Sequence, residues 1–230
     1  MSALMEIEGL AGGYGEIEIV RGVDLAVAAG EVLCIAGRNG VGKTTLMKLA
    51  TGFLPAARGT VRFRGRELGA LAPHARNRLG IAYAPQENVV FPTLSVRDNL
   101  TLHLGAPSLD RYEALFALFP RMAERLGQPA GTLSGGERKI LSFCRALGEG
   151  AALTLLDEPS EGVQPENIAR MAQAILARTA EGAGFVVVEQ NLSLIEQIAT
   201  RAMLIEQGRC LHRVERGETL RAEIVDHLAL

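Results

Sequence analysis

Gly37-Arg38-Asn39-Gly40-Val41-Gly42-Lys43-Thr44 fits the pattern G-x-x-x-x-G-K-[ST]. It follows the apolar run Val32-Leu33-Cys34-Ile35-Ala36 and opens a stretch compatible with a helix, the context the pattern requires. Glycines reach positive φ and let backbone N–H groups converge on an anion. A helix N-terminus adds partial positive charge at the same place. Lys43 can then reach the β- and γ-phosphates of a nucleotide, and the Thr44 hydroxyl can ligate Mg²⁺. A Gly-rich turn with an incidental lysine would leave four matched positions unexplained. The G-x-G-x-x-G spacing of a dinucleotide turn is absent.

Two acids end a second apolar run, Leu153-Thr154-Leu155-Leu156-Asp157-Glu158. In open α/β sheets ligands sit beyond the carboxyl ends of the strands. There Asp157 would hold Mg²⁺ through its water shell. Glu158 would be the general base or polariser, because a carboxylate can accept a proton and orient an attacking water. Alone, the pair reads as solvated acids in a turn; a phosphate loop upstream reverses that judgement. A third string, Leu133-Ser134-Gly135-Gly136-Glu137, precedes a helical stretch reaching about Gly148. Small residues at a helix start expose N–H groups and a hydroxyl, again an anion site. Ser134 lies 23 residues before Asp157, room for a helix, a loop and a strand.

The elements that must position these groups are short. The runs near 32–36, 153–156 and 185–188 are uncharged and rich in Val, Ile and Leu, as suits a parallel sheet buried on both faces. Helices are expected at 44–51 and 167–180, the second with an apolar stripe of Ile168, Met171, Ala172, Ile175 and Leu176. Residues 4–10, 23–27 and 60–64 alternate apolar and polar, the pattern of half-exposed antiparallel strands. Residues 97–126 read as helical, with breaks at Gly105-Ala106-Pro107 and Pro120. Residues 220–230 read as a short amphipathic helix that packs on the body of the fold.

Composition narrows the class. The 230 residues carry a net charge of −2, which excludes a strongly basic nucleic-acid footprint. Three cysteines, Cys34, Cys144 and Cys210, form no disulfide framework and point to a reducing compartment; Cys34 and Cys144 read as small core residues. The four histidines, 74, 103, 212 and 227, are scattered and read as surface or packing groups. Arg58, Arg62, Arg64 and Arg66 alternate and read as a solvated face. No run approaches the roughly 18–20 apolar residues that cross a bilayer, and the first residues lack a basic start and a long apolar stretch. The expectation is a chain that is neither secreted nor membrane-spanning.

Taken in order, the phosphate loop, Leu-Ser-Gly-Gly-Glu and Leu-Leu-Asp-Glu-Pro resemble the nucleotide-binding subunit of ATP-binding-cassette (ABC) proteins, over essentially the whole chain. The resemblance implies an α/β P-loop NTPase fold: a mainly parallel sheet, an N-terminal antiparallel β subdomain and an inserted helical subdomain near 87–148, all within one domain, 1–230. It implies ATP and Mg²⁺ as ligands. Tyr14 would stack on adenine, and Gly37, Arg38, Asn39, Gly40, Val41, Gly42, Lys43, Thr44 and Thr45 would hold the phosphates. Thr44, Gln86 and Asp157 would hold Mg²⁺. Gln86 would also touch the attacking water and link the site to the helical subdomain, with Glu158 and Gln190 completing the hydrolytic set. Ser134, Gly135, Gly136 and Glu137 would bind the ATP of a second cassette, because such subunits work as head-to-tail pairs. The segment Phe91-Pro92-Thr93-Leu94-Ser95-Val96-Arg97-Asp98-Asn99-Leu100 is similar to the family segment beside the transmembrane permease.

Two positions depart from the common pattern. Gln190 stands where many cassettes have a switch histidine; its amide can donate to a γ-phosphate but cannot become cationic. Gln164 takes the place of a usual Asp in the loop that crosses the dimer seam. Both strings resemble the branched-chain amino acid and urea importer family. The leading expectation is therefore an importer ATPase for branched-chain amino acids or a related small amide such as urea. It would be cytoplasmic and peripheral on the inner face of the plasma membrane. It would act with a second ATPase subunit, identical or not, with permease subunits and, indirectly, with a substrate-binding protein, and with no nucleic acid. The alternative is a soluble cassette such as an iron–sulfur assembly ATPase.

Overall fold

In chain order the elements are β1 (Ala3–Tyr14), β2 (Ile17–Ala28), β3 (Val32–Ala36), α1 (Lys43–Thr51), β4 (Arg58–Phe63), β5 (Arg66–Glu67), α2 (Pro73–Arg78), β6 (Ile81–Ala84), α3 (Val96–Thr101), α4 (Glu113–Leu118), α5 (Pro120–Glu124), α6 (Gly135–Gly148), β7 (Leu153–Asp157), α7 (Pro165–Ala180), β8 (Gly184–Val188), α8 (Leu192–Ile198), β9 (Arg201–Glu206), β10 (Arg209–Glu215) and α9 (Leu220–Leu228). This computed structural model describes residues 3–87, 90–102, 108–215, 217 and 220–228. The expected break at Gly105-Ala106-Pro107 and the whole of His103 fall outside the described residues, as does the side chain of His227.

The main sheet has the order β10-β9-β3-β8-β7-β6. β6, β7, β8, β3 and β9 run parallel, and β10 returns antiparallel to β9. Every residue of β3, β7 and β8 is buried. Their side chains alternate between two cores, as the period of two demands. Val32, Cys34, Ala36, Leu156, Phe185 and Val187 face one core with the apolar sides of α6, α7 and α8. Leu33, Ile35, Leu153, Leu155, Val186 and Val188 face the other, with α1 and the smaller antiparallel sheet β2-β1-β4-β5. Two-sided burial is why these strands carry no polar alternation, while β1, β2 and β4 do.

In α7 the stripe Ile168, Met171, Ala172 and Ile175 is buried as expected, but Leu176 is 40% exposed. It sits one step round the helix from Ile175, past the edge of the packed face; an exposed leucine costs the fold little. The β9–β10 hairpin has no counterpart in the expected elements. Cys34 and Cys144 are core residues, and Arg58 and Arg62 lie on the surface paired with Glu18 and Glu8.

Among the described residues, no strand lies between β6 and β7. Pro120 stands at the first turn of α5, where its missing N–H is harmless. Phe119 meets Phe143 of α6 edge-on, with centroids 6.1 Å apart. Tyr112 is fully buried and donates its hydroxyl to the Leu100 carbonyl at 2.6 Å. The segment after β6 is locked to the segment before α6: Val96 and Arg97 N–H donate to Gln128 and Leu126, and Ala130 and Gly131 N–H donate back to Leu94 and Pro92. Buried Asn99 organises this junction, accepting from Phe91 N–H and donating to the Phe91 and Ser95 carbonyls. Among the described residues, no helix is long and apolar enough to cross a membrane.

Candidate functional site

Four neighbouring strands of the main sheet, β3, β8, β7 and β6, end on the same side. Each delivers one part of the predicted site: the phosphate loop follows β3, Gln190 follows β8, Asp157 and Glu158 end β7, and Gln86 follows β6. Pairing fixes their common level, with Val188 opposite both Ile35 and Asp157, and Ala84 opposite Leu156.

The phosphate loop is braced from outside. Gly208, in the β9–β10 turn, donates its N–H to the Val41 carbonyl at 2.9 Å. A Cβ on Gly208 would fall 1.8 Å from the Ile19 carbonyl oxygen, so this turn requires glycine. Lys43 is buried and donates to the Gly37 and Arg38 carbonyls at 2.8 and 2.9 Å, with Glu158 Oε1 at 3.7 Å. Burial lowers its pKa, and the Glu158 and Asp157 carboxylates work in the opposite direction. Tyr14, Asn39, Gly40, Gly42, Lys43, Thr44, Thr45, Gln86 and Glu158 line one cavity of about 350 Å³. The Tyr14 ring is 47% exposed and lies at its mouth, with Lys48 Nζ 5.8 Å from the ring centre.

The predicted metal donors meet one another. Thr44 Oγ1 lies 3.3 Å from Gln86 Oε1 and 3.2 Å from Asp157 Oδ1. This is an all-oxygen set with one carboxylate, the chemistry that Mg²⁺ takes when phosphates supply the remaining ligands. Burial pushes the Asp157 carboxyl up to about 6, against hydrogen bonds from Thr44 and Tyr83 that pull it down. A carboxyl in such a place gains from a nearby cation.

Glu158 is held on both sides. Gln190 Nε2 donates to Oε1 at 2.8 Å, and Gln86 Nε2 donates to Oε2 at 2.8 Å. The same Gln190 amide donates to Asn39 Oδ1 at 2.6 Å, which joins the clamp to the phosphate loop. Glu158 is 7% exposed and has φ of 49°, the left-handed region, at a cost of roughly 1–3 kcal/mol. Its N–H donates to the Val188 carbonyl at 2.9 Å. From this turn the carboxylate comes within 3.7 Å of Lys43 in the phosphate loop.

The Leu-Ser-Gly-Gly-Glu string lies elsewhere. Ser134 caps α6: its Oγ accepts from Glu137 N–H at 3.3 Å, and Glu137 Oε2 accepts from Ser134 N–H at 3.0 Å. This reciprocal box satisfies two orphan groups of the helix start. The Ser134 backbone bond holds the Glu137 carboxyl below the usual range, helped by Arg125 at 3.1 Å and Arg121 at 3.5 Å. A Cβ on Gly136 would lie 2.7 Å from the Gly162 carbonyl, so glycine lets α6 approach the loop after β7. Ser134, Gly135, Gly136 and Glu137 line a second cavity, of about 840 Å³, which shares no residue with the first.

Three site residues were missed by sequence reasoning. Tyr83 donates to Asp157 Oδ2 at 3.2 Å; its place three residues before Gln86 was the available signal. Glu189 is buried and accepts from the N–H groups of Ser160, Gln190 and Asn191 at 3.3, 2.7 and 3.0 Å. An acid directly after an all-apolar strand could have flagged it. Lys139 reaches the Gln86 and Glu158 carbonyls from α6, and no local pattern marks it. Among the described residues, no group of three or more His, Cys, Asp or Glu could hold a metal ion by itself.

A Gly-rich loop over a helix start, with acids and amides at adjacent strand ends, defines a P-loop nucleotide-binding domain. Residues 20–161 match the family described as ABC transporter. The chain is 38% identical to the high-affinity branched-chain amino acid transport ATP-binding protein BraG of Pseudomonas aeruginosa, over 85% of this chain and 86% of that one. It is 32% identical to the lipopolysaccharide export system ATP-binding protein LptB of Escherichia coli, over 99% and 97%. A solved structure of an ATP-binding subunit of an ABC transporter superposes with a TM-score of 0.82 at 26% identity, covering 96% of this chain and 99% of that one. The chain belongs to the ABC transporter family and is an ATP-binding, ATP-hydrolysing subunit. ATP-binding subunits of this family work with transmembrane permease components.

Proposed function

We propose that this chain powers an importer for branched-chain amino acids or a related small amide such as urea. The observation that carries its chemistry is the clamp on Glu158. Both oxygens of the carboxylate are held by amide donors, with the Lys43 ammonium 3.7 Å from Oε1. In hydrolysis a water oxygen bonds to the γ-phosphorus as the bond to the β,γ-bridging oxygen breaks. Glu158 takes the water proton, and ADP and phosphate leave. Gln86 and Gln190 hold the base in line, while Lys43 and the loop N–H groups bind the phosphates. When bound, Mg²⁺ neutralises charge on the β- and γ-oxygens, and Thr44, Gln86 and Asp157 would hold it.

The chain acts as one cassette, 1–230, with a helical subdomain near 87–148. It works in a head-to-tail pair, identical or not. Two separate cavities support this reading, since the Ser134–Glu137 string lies outside the phosphate cavity of its own chain. Tyr14, exposed at the cavity mouth, stacks on adenine. The pair docks on permease subunits at the inner face of the plasma membrane, served by a substrate-binding protein and without nucleic acid. Likeness to BraG, named for branched-chain amino acid transport, supports the amino-acid substrate class. The near full-length match to LptB favours a second reading, an export ATPase. Uptake of labelled leucine and of labelled urea by a strain lacking this subunit separates the two. Loss of either uptake, restored by the gene, supports import; normal uptake of both with a failing outer envelope would support export. Recovery from membranes together with permease subunits would stand against a soluble iron–sulfur assembly role, and recovery with soluble scaffold proteins alone would sink the transport reading.

A further inference from the structure

Lys139 stands on the first turns of α6, just past the Leu-Ser-Gly-Gly-Glu string, and its side chain is only 13% exposed. Its ammonium carries three donors and faces three acceptors. These are the Gln86 carbonyl at 2.8 Å, the Glu158 carbonyl at 3.3 Å and Glu161 Oε2 at 3.4 Å. The acceptors come from the segment after β6, the end of β7 and the loop leading to α7. Gln86 and Glu158 are the two residues whose side chains are bonded to each other at 2.8 Å. Lys139 therefore holds both backbones of one catalytic contact, and reaches neither side chain.

We propose that Lys139 is a positioning residue that keeps the Glu158 carboxylate aimed, by fixing the peptide units of Glu158 and Gln86 from the α6 helix. The left-handed φ of Glu158 makes this control effective. A small rotation of that peptide swings the carboxylate away from the amides of Gln86 and Gln190. Besides Lys139, the Glu158 carbonyl accepts only the Glu161 N–H, at a long 3.4 Å, among the described residues. The ammonium bonds are charge-assisted and stronger than neutral ones. The Glu161 carboxylate makes the third contact and keeps the ammonium in place. Its loop also lines the cavity of Ser134 and Gly136, so movement of α6 relative to that loop reaches Glu158 through Lys139.

The inference rests on Glu158 being the hydrolytic carboxylate, so the test carries a separate arm for that reading. ATP turnover, ATP affinity and melting temperature are measured on the purified full chain and on Lys139→Met, Lys139→Arg and Glu158→Gln. Lys139→Met keeps the length and loses the donors. It should lower kcat about tenfold or more, since a misplacement near 1 Å can cost that much. KM, ATP affinity and melting temperature should stay within about twofold and a few degrees of the parent. Lys139→Arg, which keeps charge and donors, should stay within about threefold in kcat. Should Lys139→Met not fold, Lys139→Gln takes its place, with a smaller loss because its amide reaches one carbonyl. Turnover of Lys139→Met equal to the parent overturns the inference. So does a kcat loss accompanied by equal losses of ATP affinity and melting temperature, which marks a structural brace. If Glu158→Gln itself keeps parental turnover, it is the reading of Glu158 that fails.

Discussion

In the proposed function the strand-end cluster and the start of α6 both meet an anion, but they satisfy their polar groups differently. In the cluster, side chains from four strand ends bond to one another: Thr44 to Asp157 and Gln86, Gln86 to Glu158, Glu158 to Gln190, and Gln190 to Asn39. Every contact crosses between segments distant in sequence, so the cluster exists only once the sheet has formed. At α6, Ser134 and Glu137 bond within three residues of each other. The capping box itself closes locally, with Arg121 and Arg125 reaching Glu137 from the preceding segment. The first region holds backbone strain at Glu158 and a buried acid at Asp157; the second holds neither at its cap. A group that does chemistry is held by many distant partners; one that docks needs only a rigid, preformed edge.

Breaking the cluster should cost most. Lys43→Ala removes the cation from the phosphate loop and should lower turnover at least 10²-fold, with ATP affinity falling too; steady-state kinetics and nucleotide titration check this. Asp157→Asn removes the buried acid. Its folded pKa of about 6 lies above the ordinary value of 3.8, so the folded state holds that proton to higher pH than the unfolded chain. Ionising it therefore costs stability, and the cost grows between about pH 4 and 6. Without Mg²⁺, Asp157→Asn should be more stable than the parent at pH 7, by roughly 3 kcal/mol, with the gap closing toward pH 4. A gap independent of pH would contradict the cause.

Smaller effects sharpen the contrast. Gln190→Ala removes one amide from Glu158 and should lower turnover about tenfold, the size of one hydrogen bond to a charged group. That is less than the loss in Lys43→Ala, and the opposite ranking would mean Gln190 holds ground-state phosphate. Ser134→Ala removes the cap and should lower stability by about 1 kcal/mol, a melting shift of roughly 2–4 °C for a chain of this size. Local closure of the capping box predicts that this cost is the same in the isolated subunit whatever happens at Glu158; a calorimetric double-mutant comparison with Glu158→Gln should be additive.

The phosphate loop, the acid pair and the capped string were legible because each is a contiguous string with its own chemistry. The buried strands were legible because two-sided burial leaves an uninterrupted apolar run, as in Phe185-Val186-Val187-Val188. What escaped was set by tertiary geometry. Tyr83 and Lys139 act through contacts 74 and 19–53 residues away; closeness to Gln86 was the one cue for Tyr83, and nothing in its local string marks Lys139. Leu176 was expected inside because it continues an apolar pattern, and the width of the packed face left it out. The β9–β10 hairpin is short and carries polar residues on β10, so its role in bracing the phosphate loop through Gly208 shows only in the fold.

In the proposed hydrolysis Glu158 is the carboxylate that takes the water proton. The most direct measurement is single-turnover hydrolysis of bound ATP by Glu158→Gln, with ATP affinity measured on the same preparation. Affinity within about twofold of the parent and hydrolysis slower by 10² or more is the predicted result. Hydrolysis at the parental rate, with ATP bound normally, would contradict it.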